Sequence, residues 1–348
     1  MADQIVRWGV IGSGGIARRR TIPEGIVPAG NASLAVVFDI DATVNHEVAE
    51  EFGAAAAESL GDLLAADIDA VYVASPVNRH LEHVRACAGA GKSVLCEKPL
   101  GIDVREAEEM VRVCEEAGVI LGTALMMRFV EQHREALRLV ETGAIGTPVY
   151  ARAQLSCWYP PMEHSWRQDP ATGGGGSLMD MGSHCIDLLE MFFGEIQWVS
   201  CFTNHQVHDY KSEDSAVAML YFKNGALATV DNLFNVPDNS VRNVLEIYGS
   251  KGSILAQFTI GQGPAGEMKA TLEHGEGGYD ARQDRAEGQV LDISPTPVNT
   301  YEAEIMEFSN ALIEGRRPLN SAGIGLRNQK VLAACYESAQ TWKAIQID

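Results

Sequence analysis

The chain has 348 residues, 46% apolar and 21% charged, with a net charge of −20 at pH 7. That is the composition of a globular protein long enough for two domains, and its acidity argues against nucleic acid or an anionic membrane as a partner. Seven cysteines, odd in number, widely spaced and without a CxxC pair, fit neither a disulfide framework nor a zinc cassette. The N-terminus has no secretory leader pattern and no apolar run reaches transmembrane length, so a cytoplasmic protein is expected.

In chain order, "IVRWGVIGSG", "ASLAVVFDID", "IDAVYVASP", "KSVLCEKP" and "GVILGTALM" are short apolar runs of strand type. Helical patterns lie between them, including "VNHEVAEEFG" and "VREAEEMVRVCEEAG", the latter closed by Gly118 as a C-cap. Apolar strands alternating with helices predict a parallel sheet covered on both faces. From about Thr147 the pattern changes to strands with few helices between them, "PVYARAQLSCW", "QWVSCFTNHQ", "DSAVAMLYF", "GALATVDNL", "NVLEIYG" and "GSILAQF", with a hairpin signal at Asn224-Gly225. One helix interrupts them at "SLMDMGSHCIDLLEMFFG", two more close the chain, and residues 261–297 read as a glycine-rich excursion of turns. The expected architecture is α/β: a Rossmann domain over residues 1–125, then an α+β domain with a large, mostly antiparallel open sheet over 126–348. The last helices are expected to return to the first domain.

"GVIGSGGIA" places Gly12, Gly14 and Ala17 in the pattern G-x-G-x-x-A between a strand and a helix. The first glycine permits the tight turn, the second lets a pyrophosphate approach the backbone, and the alanine lets helix and strand pack closely. Ser13, Gly15 and Ile16 complete the turn, and the helix N-terminus offers free N–H groups to phosphate. Asp39, about 20 residues further on at the end of the second strand, has the position of a ribose-binding acid. A carboxylate there repels a 2′-phosphate, so NAD is preferred. NADP stays open because Arg18, Arg19 and Arg20 open the first helix.

The next chemical feature is "VLCEKPLG", in which Glu97 and Lys98 end a strand at the ligand-binding edge and Pro99 restricts Lys98 to extended backbone. The Lys98-Pro99 bond is a candidate for the cis form. In "GGGGSLMDMGSHCIDLL", Asp180 and His184 stand four apart on one helix face, with Asp187 placed to support His184. A histidine takes a hydroxyl proton near neutral pH, and a carboxylate orients it or holds a neighbouring hydroxyl. The glycines at 173–176 let the helix start close to a ligand. No metal site is expected, because no cluster of ligands completes the Asp180/His184 pair.

Together, "GVIGSGGIA", "VYVASPVNRHLEHV", "VLCEKPL" and "GGGGSLMDMGSHCIDLL" resemble the Gfo/Idh/MocA oxidoreductases, the relatives of glucose–fructose oxidoreductase and inositol dehydrogenase. The resemblance implies a catalytic trio of Lys98, Asp180 and His184. It also implies that Ser75, Pro76, Asn78, His80 and Glu97 lie near the cofactor and that Trp166 and Arg167 approach the cleft. It further implies a small-molecule sugar or polyol substrate and a homodimer or homotetramer formed through the C-terminal sheet. "RWGVIGSGGIA" and "ILGTALMMRF" resemble the 1,5-anhydro-D-fructose reductase branch, which is associated with NADPH; Asp39 departs from it. Tyr159, Trp158, His164 and Trp166, with Arg128 and the rest of 126–133, are candidates to line the substrate pocket. Three rival readings remain open: an anhydrofructose-type NADPH reductase, a redox-silent dinucleotide sensor, and an enzyme that retains its cofactor through oxidation and re-reduction.

Overall fold

The structure, a computed structural model, describes residues 4–163, 165–273, 281 and 288–347. The five apolar runs and the short Ala55–Ala56 segment form one sheet: β1 (Val6–Ile11), β2 (Ala32–Phe38), β3 (Ala55–Ala56), β4 (Ala70–Val73), β5 (Ser93–Glu97) and β6 (Leu121–Ala124). Their order is β3-β2-β1-β4-β5-β6, with every pair parallel. The strand order reverses between β1 and β4, and the crevice beyond their carboxyl ends is where open α/β sheets bind ligands. Every residue of β4 is buried, as is β5 up to Glu97, because helices cover both faces.

Those helices are α1 (Ala17–Ile26), α2 (Ala42–Phe52), α3 (Leu60–Ala65), α4 (His80–Gly89) and α5 (Val104–Ala117). Local chemistry sets their ends. Asp41 accepts from Thr43 N and Val44 N at the start of α2, Asp103 accepts from Glu106 N at the start of α5, and Gly118 closes α5 at φ 68°. Pro23 lies inside α1, whose turns are wider than those of an α-helix.

The second half contains α6 (Glu131–Glu141), β7 (Pro148–Gln154), α7 (Ser183–Phe193), β8 (Ile196–Asn204), β9 (Ser215–Phe222), β10 (Leu227–Leu233), β11 (Val244–Gly249) and β12 (Gly252–Gln257). It continues with β13 (Glu267–Leu272), β14 (Gln289–Asp292), α8 (Thr300–Glu314), α9 (Ala322–Thr341) and β15 (Ile345–Gln346). The nine strands order as β14-β13-β12-β11-β7-β10-β9-β8-β15; β7 and β10 pair in parallel and the other neighbours antiparallel. Gly225, at φ 91°, turns β9 into β10. Along β9 every second residue is buried, so one face of the sheet meets α7 and α9 and the other meets solvent. The solvent face carries exposed Trp198, Phe202, Met219, Leu227, Leu255 and Val290.

One expectation needs correction. Residues 261–297 are not turns alone: β13 and β14 lie within them and extend the sheet. "EMKATL" alternates strictly and buries Met268, Ala270 and Leu272, the period of a half-buried strand, but the glycine-rich residues around it mask the signal. The helix predicted over "SLMDMGSHCIDLLEMFFG" is present, its first turn wide over Leu178–Gly182 and running without a break into α7.

The closing helices reach back to the first sheet. Phe308 of α8 lies against Trp8 with ring centroids 5.4 Å apart, and Trp8 Nε1 donates to Ser309 Oγ at 3.2 Å. Ile305 and Phe308 belong to the same buried cluster as Val10, Ile22 and Leu95.

Candidate active site

A cavity of about 460 Å³ opens at the carboxyl edge of the parallel sheet. From the first half it is lined by Gly15, Ile16 and Arg19 at the glycine turn, by Ser75 and His80 after β4, and by Glu97 and Lys98 after β5. From the second half come Leu155, Ser156, Cys157, Trp166, Arg167, Asp180, His184, Asp238 and Asn243.

The glycine turn fits a dinucleotide. Gly12 stands at φ 78°, and a Cβ there would meet Ser75 N at 2.7 Å, so no other residue fits. Gly15 faces open space, and the Oγ of fully buried Ser13 has no hydrogen-bond partner. Asp39 Oδ2 accepts from Gly14 N at 3.0 Å and Oδ1 from Asp41 N at 3.0 Å, which fixes the carboxylate beside the turn. The basic run divides: Arg18 pairs with Glu47 and Glu51, Arg20 pairs with Glu24, and Arg19 donates to Gly15 O at 3.1 Å on the cavity wall.

The Lys98-Pro99 bond is cis. Lys98 Nζ donates to Asp180 Oδ1 and to Asp180 O, each at 2.8 Å. Arg167 Nε stands 3.0 Å from Asp180 Oδ2, and its guanidinium lies over the Trp166 ring at 4.1 Å. Two cations from different segments therefore share one buried carboxylate. Burial alone would raise Asp180, but the charges of Arg167 and Lys98 outweigh it and hold the carboxyl well below the usual range.

His184 has 9% exposure and its Nδ1 is buried without a partner. Burial and the Lys98 charge push its pKa well below the ordinary value, so the ring is neutral at pH 7 and competent to accept a proton. Asp180 does not hydrogen-bond the imidazole, because both of its oxygens serve the cations. Nor does Asp187 support His184: it takes Arg128 through Nε at 2.9 Å and Nη2 at 2.7 Å. Arg128 is thereby tied to the core and does not line the cavity. The thiol of Cys157, pushed up to about 12 by burial, offers no thiolate.

Several predicted residues lie outside the lining or serve the scaffold behind it. Pro76 and Asn78 are exposed and lie outside the cavity lining. His80 is held inside the protein, with Nε2 2.9 Å from Ser75 O and Nδ1 3.2 Å from both Pro99 O and Leu100 O, and burial brings it down to about 4. It pins the turn after β4 to the turn after β5. Tyr159 bonds Ser165 and Trp158 lies against His208, both outside the lining. His164 lies outside the described residues.

Two supports behind the site rest on contacts remote in sequence. Glu97 accepts from Tyr72 Oη at 2.5 Å, Tyr72 in turn accepts from Thr21 at 2.9 Å, and burial raises the Glu97 pKa. Glu213, also raised by burial, accepts from Gly176 N, Leu178 N and Tyr336 Oη, each at 2.9 Å. A Cβ at Gly176 would stand 2.0 Å from Glu213 O, so that glycine admits the protein's own backbone rather than a ligand. Glu213 thus holds the N-terminal end of the segment that carries Asp180 and His184.

The description "Oxidoreductase family, NAD-binding Rossmann fold" matches residues 6–125, and "GFO/IDH/MocA C-terminal domain" matches 133–255. The chain is 30% identical over 350 aligned residues to 1,5-anhydro-D-fructose reductase of Ensifer adhaerens, covering 98% of each chain. It is 28% identical to D-xylose 1-dehydrogenase (NADP(+)) 2 of Haloferax volcanii, covering 98% of this chain and 99% of that protein. The aldose-aldose oxidoreductase of Caulobacter crescentus shares the fold with a TM-score of 0.87 at 24% identity, over 99% of this chain and 100% of that one. With both halves matched and a relative at this identity along nearly its whole length, the chain belongs to the Gfo/Idh/MocA family of NAD-binding oxidoreductases.

Proposed function

We propose that this oxidoreductase moves a hydride between a nicotinamide and a CH–OH or C=O carbon of a sugar, polyol or sugar derivative. The observation that carries the reading is the meeting of Lys98 from the first half with His184 from the second on one cavity that begins at the glycine turn. Gly12, Ser13, Gly14, Gly15 and Ile16 would hold the pyrophosphate, and Asp39 the adenosine ribose. When bound, the cofactor supplies the hydride acceptor or donor.

The chain's own residues do the rest. Neutral His184 takes the hydroxyl proton during oxidation and returns it during reduction. Lys98, fixed by Asp180, donates to the reacting oxygen and stabilises its developing negative charge. Asp180 aims Lys98 and Arg167. Leu155, Met126 and Met127 bring apolar surface to the cavity wall and exclude water.

NAD is the preferred cofactor, supported by the carboxylate of Asp39 and by the pairing of Arg18 and Arg20 with acids. The exposed apolar face of the nine-stranded sheet supports a homodimer or homotetramer, with a second copy as its occupant. Among the described residues no helix is long and apolar enough to cross a membrane, and seven free cysteines suit a reducing, cytoplasmic setting.

The test is a panel of pentoses, hexoses, inositols and 1,5-anhydro sugars with each nicotinamide cofactor, followed by nicotinamide absorbance. Turnover of at least one member with NAD is expected. No absorbance change with any member and either cofactor refutes the reading.

A further inference from the structure

Two side chains on the substrate side of the cavity have fixed orientations and unused hydrogen-bonding capacity. Asn243, at the entry to β11, sits at φ 46°, in the left-handed region that non-glycine residues seldom occupy. Its Oδ1 accepts from Ser156 N at 3.0 Å. That contact orients the carboxamide, while Nδ2 makes no hydrogen bond among the described residues. Asp238, on the same β10–β11 connection, accepts from Trp158 N through Oδ1 at 2.8 Å, and its Oδ2 is likewise unused among the described residues. Both residues line the cavity that holds Lys98 and His184. The segment they grip is itself fixed to β10 and the residues after it: Cys157 N donates to Leu233 O at 2.9 Å and Tyr159 N to Phe234 O at 2.8 Å.

A residue kept in a sparsely populated backbone conformation at a cavity wall points to a functional constraint. An N–H donor and a carboxylate acceptor lining the same cavity suit substrate hydroxyls, one accepting and one donating. We infer that Asp238 and Asn243 read hydroxyls of the substrate, away from the carbon that exchanges hydride, and so set which sugar or polyol is accepted. This rests on the sugar–polyol reading above. The pair are positioning residues; His184 and Lys98 act on the reacting group.

The test uses wild type, Asn243→Gly and Asp238→Ala as full chains. Glycine adopts the left-handed backbone without strain, so Asn243→Gly removes the carboxamide and keeps the turn. Asp238 is exposed, and its loss leaves no buried cavity. The substrate is the panel member that wild type turns over fastest, together with its monodeoxy analogues. Each variant is expected to lower kcat/KM about 10-fold for Asn243 and up to ~100-fold for the charged Asp238, the range set by hydrogen bonds to neutral and ionised groups. The loss falls on KM. NAD affinity by protein fluorescence stays at the wild-type value, while the melting temperature falls modestly because Ser156 N and Trp158 N lose their acceptors.

One deoxy analogue is expected to lose as much with wild type and nothing further with the matching variant. Variants within twofold of wild type overturn the inference, and so do losses that add independently to every deoxy analogue. If wild type turns over no panel member, the sugar–polyol reading fails first and this inference with it, an outcome distinct from active wild type with indifferent variants.

Discussion

Asp180→Asn removes one charge from a buried trio and leaves two cations without their common partner. Asp180 and Lys98 side chains are 9% and 12% exposed, so water screens that pair little. Arg167, at 29%, has more access to solvent. Removing one partner of a buried ion pair costs about 3–5 kcal/mol. Because solvent relieves the Arg167 side, the lower end, about 3 kcal/mol, is expected. Urea unfolding at pH 7 reads it as a lower midpoint at unchanged slope.

The pH dependence follows from the sign of the shift. Asp180 is held below its ordinary range, so its contribution is complete at neutral pH and disappears only as pH falls below the unfolded value of about 3.9. The gap between wild type and Asp180→Asn is therefore constant from about pH 8 to 5 and closes below about pH 4. The triple replacement Lys98→Met, Asp180→Leu, Arg167→Met, which removes all three charges, is expected to be more stable than Asp180→Asn although it is inactive. An unchanged midpoint for Asp180→Asn, or a gap that widens toward acid, refutes the argument that this carboxylate balances both cations.

Lys98→Ala is expected to cut turnover by about 10²–10³-fold, the scale for losing one donor to a developing oxyanion, while calorimetry shows NAD binding unchanged; turnover near wild type removes Lys98 from the mechanism. Because burial and Lys98 hold His184 below its ordinary value, kcat/KM for alcohol oxidation is expected to show no histidine limb as pH falls from 8 to about 6.5, and a decline beginning above that range contradicts a neutral His184. Glu213→Gln is expected to destabilise the protein by about 1.5–3 kcal/mol, the worth of hydrogen bonds to an ionised group, and to lower kcat through the Asp180–His184 segment; a melting curve and kcat both equal to wild type would show that Glu213 positions nothing. Phe202→Asp with Met219→Lys is expected to yield a monomer in sedimentation equilibrium, and assembly unchanged from wild type places the subunit interface elsewhere.

The parallel sheet was legible because strands covered on both faces must be apolar along their whole length, as β4 and β5 are. The glycine turn was legible because its conformation and close contacts admit few residues. β13 was legible but passed over: "EMKATL" alternates polar and apolar residues strictly, and glycine-rich flanks on both sides drew the whole stretch into a loop reading. At the site, chain spacing brought Asp180 and His184 to notice but misassigned the partners. Spacing along a helix says which residues share a face, yet the buried carboxylates are claimed by cations remote in sequence, Asp187 by Arg128 and Asp180 by Lys98. Glu213 and Asn243 belong to no motif; their roles arise from backbone groups that folding brings to them.

Trp8 meets Phe308 and, 301 positions away, Ser309. The nucleotide-binding half is consequently not a self-sufficient N-terminal unit. As the chain leaves the ribosome, its first sheet keeps an uncovered apolar flank around Trp8, Ile22 and Leu95 until nearly all of the remaining chain has been made. A fragment ending at residue 125 inherits that flank permanently and is expected to aggregate, whereas supplying α8 on a linker from the first half gives a smaller unit that closes its own core.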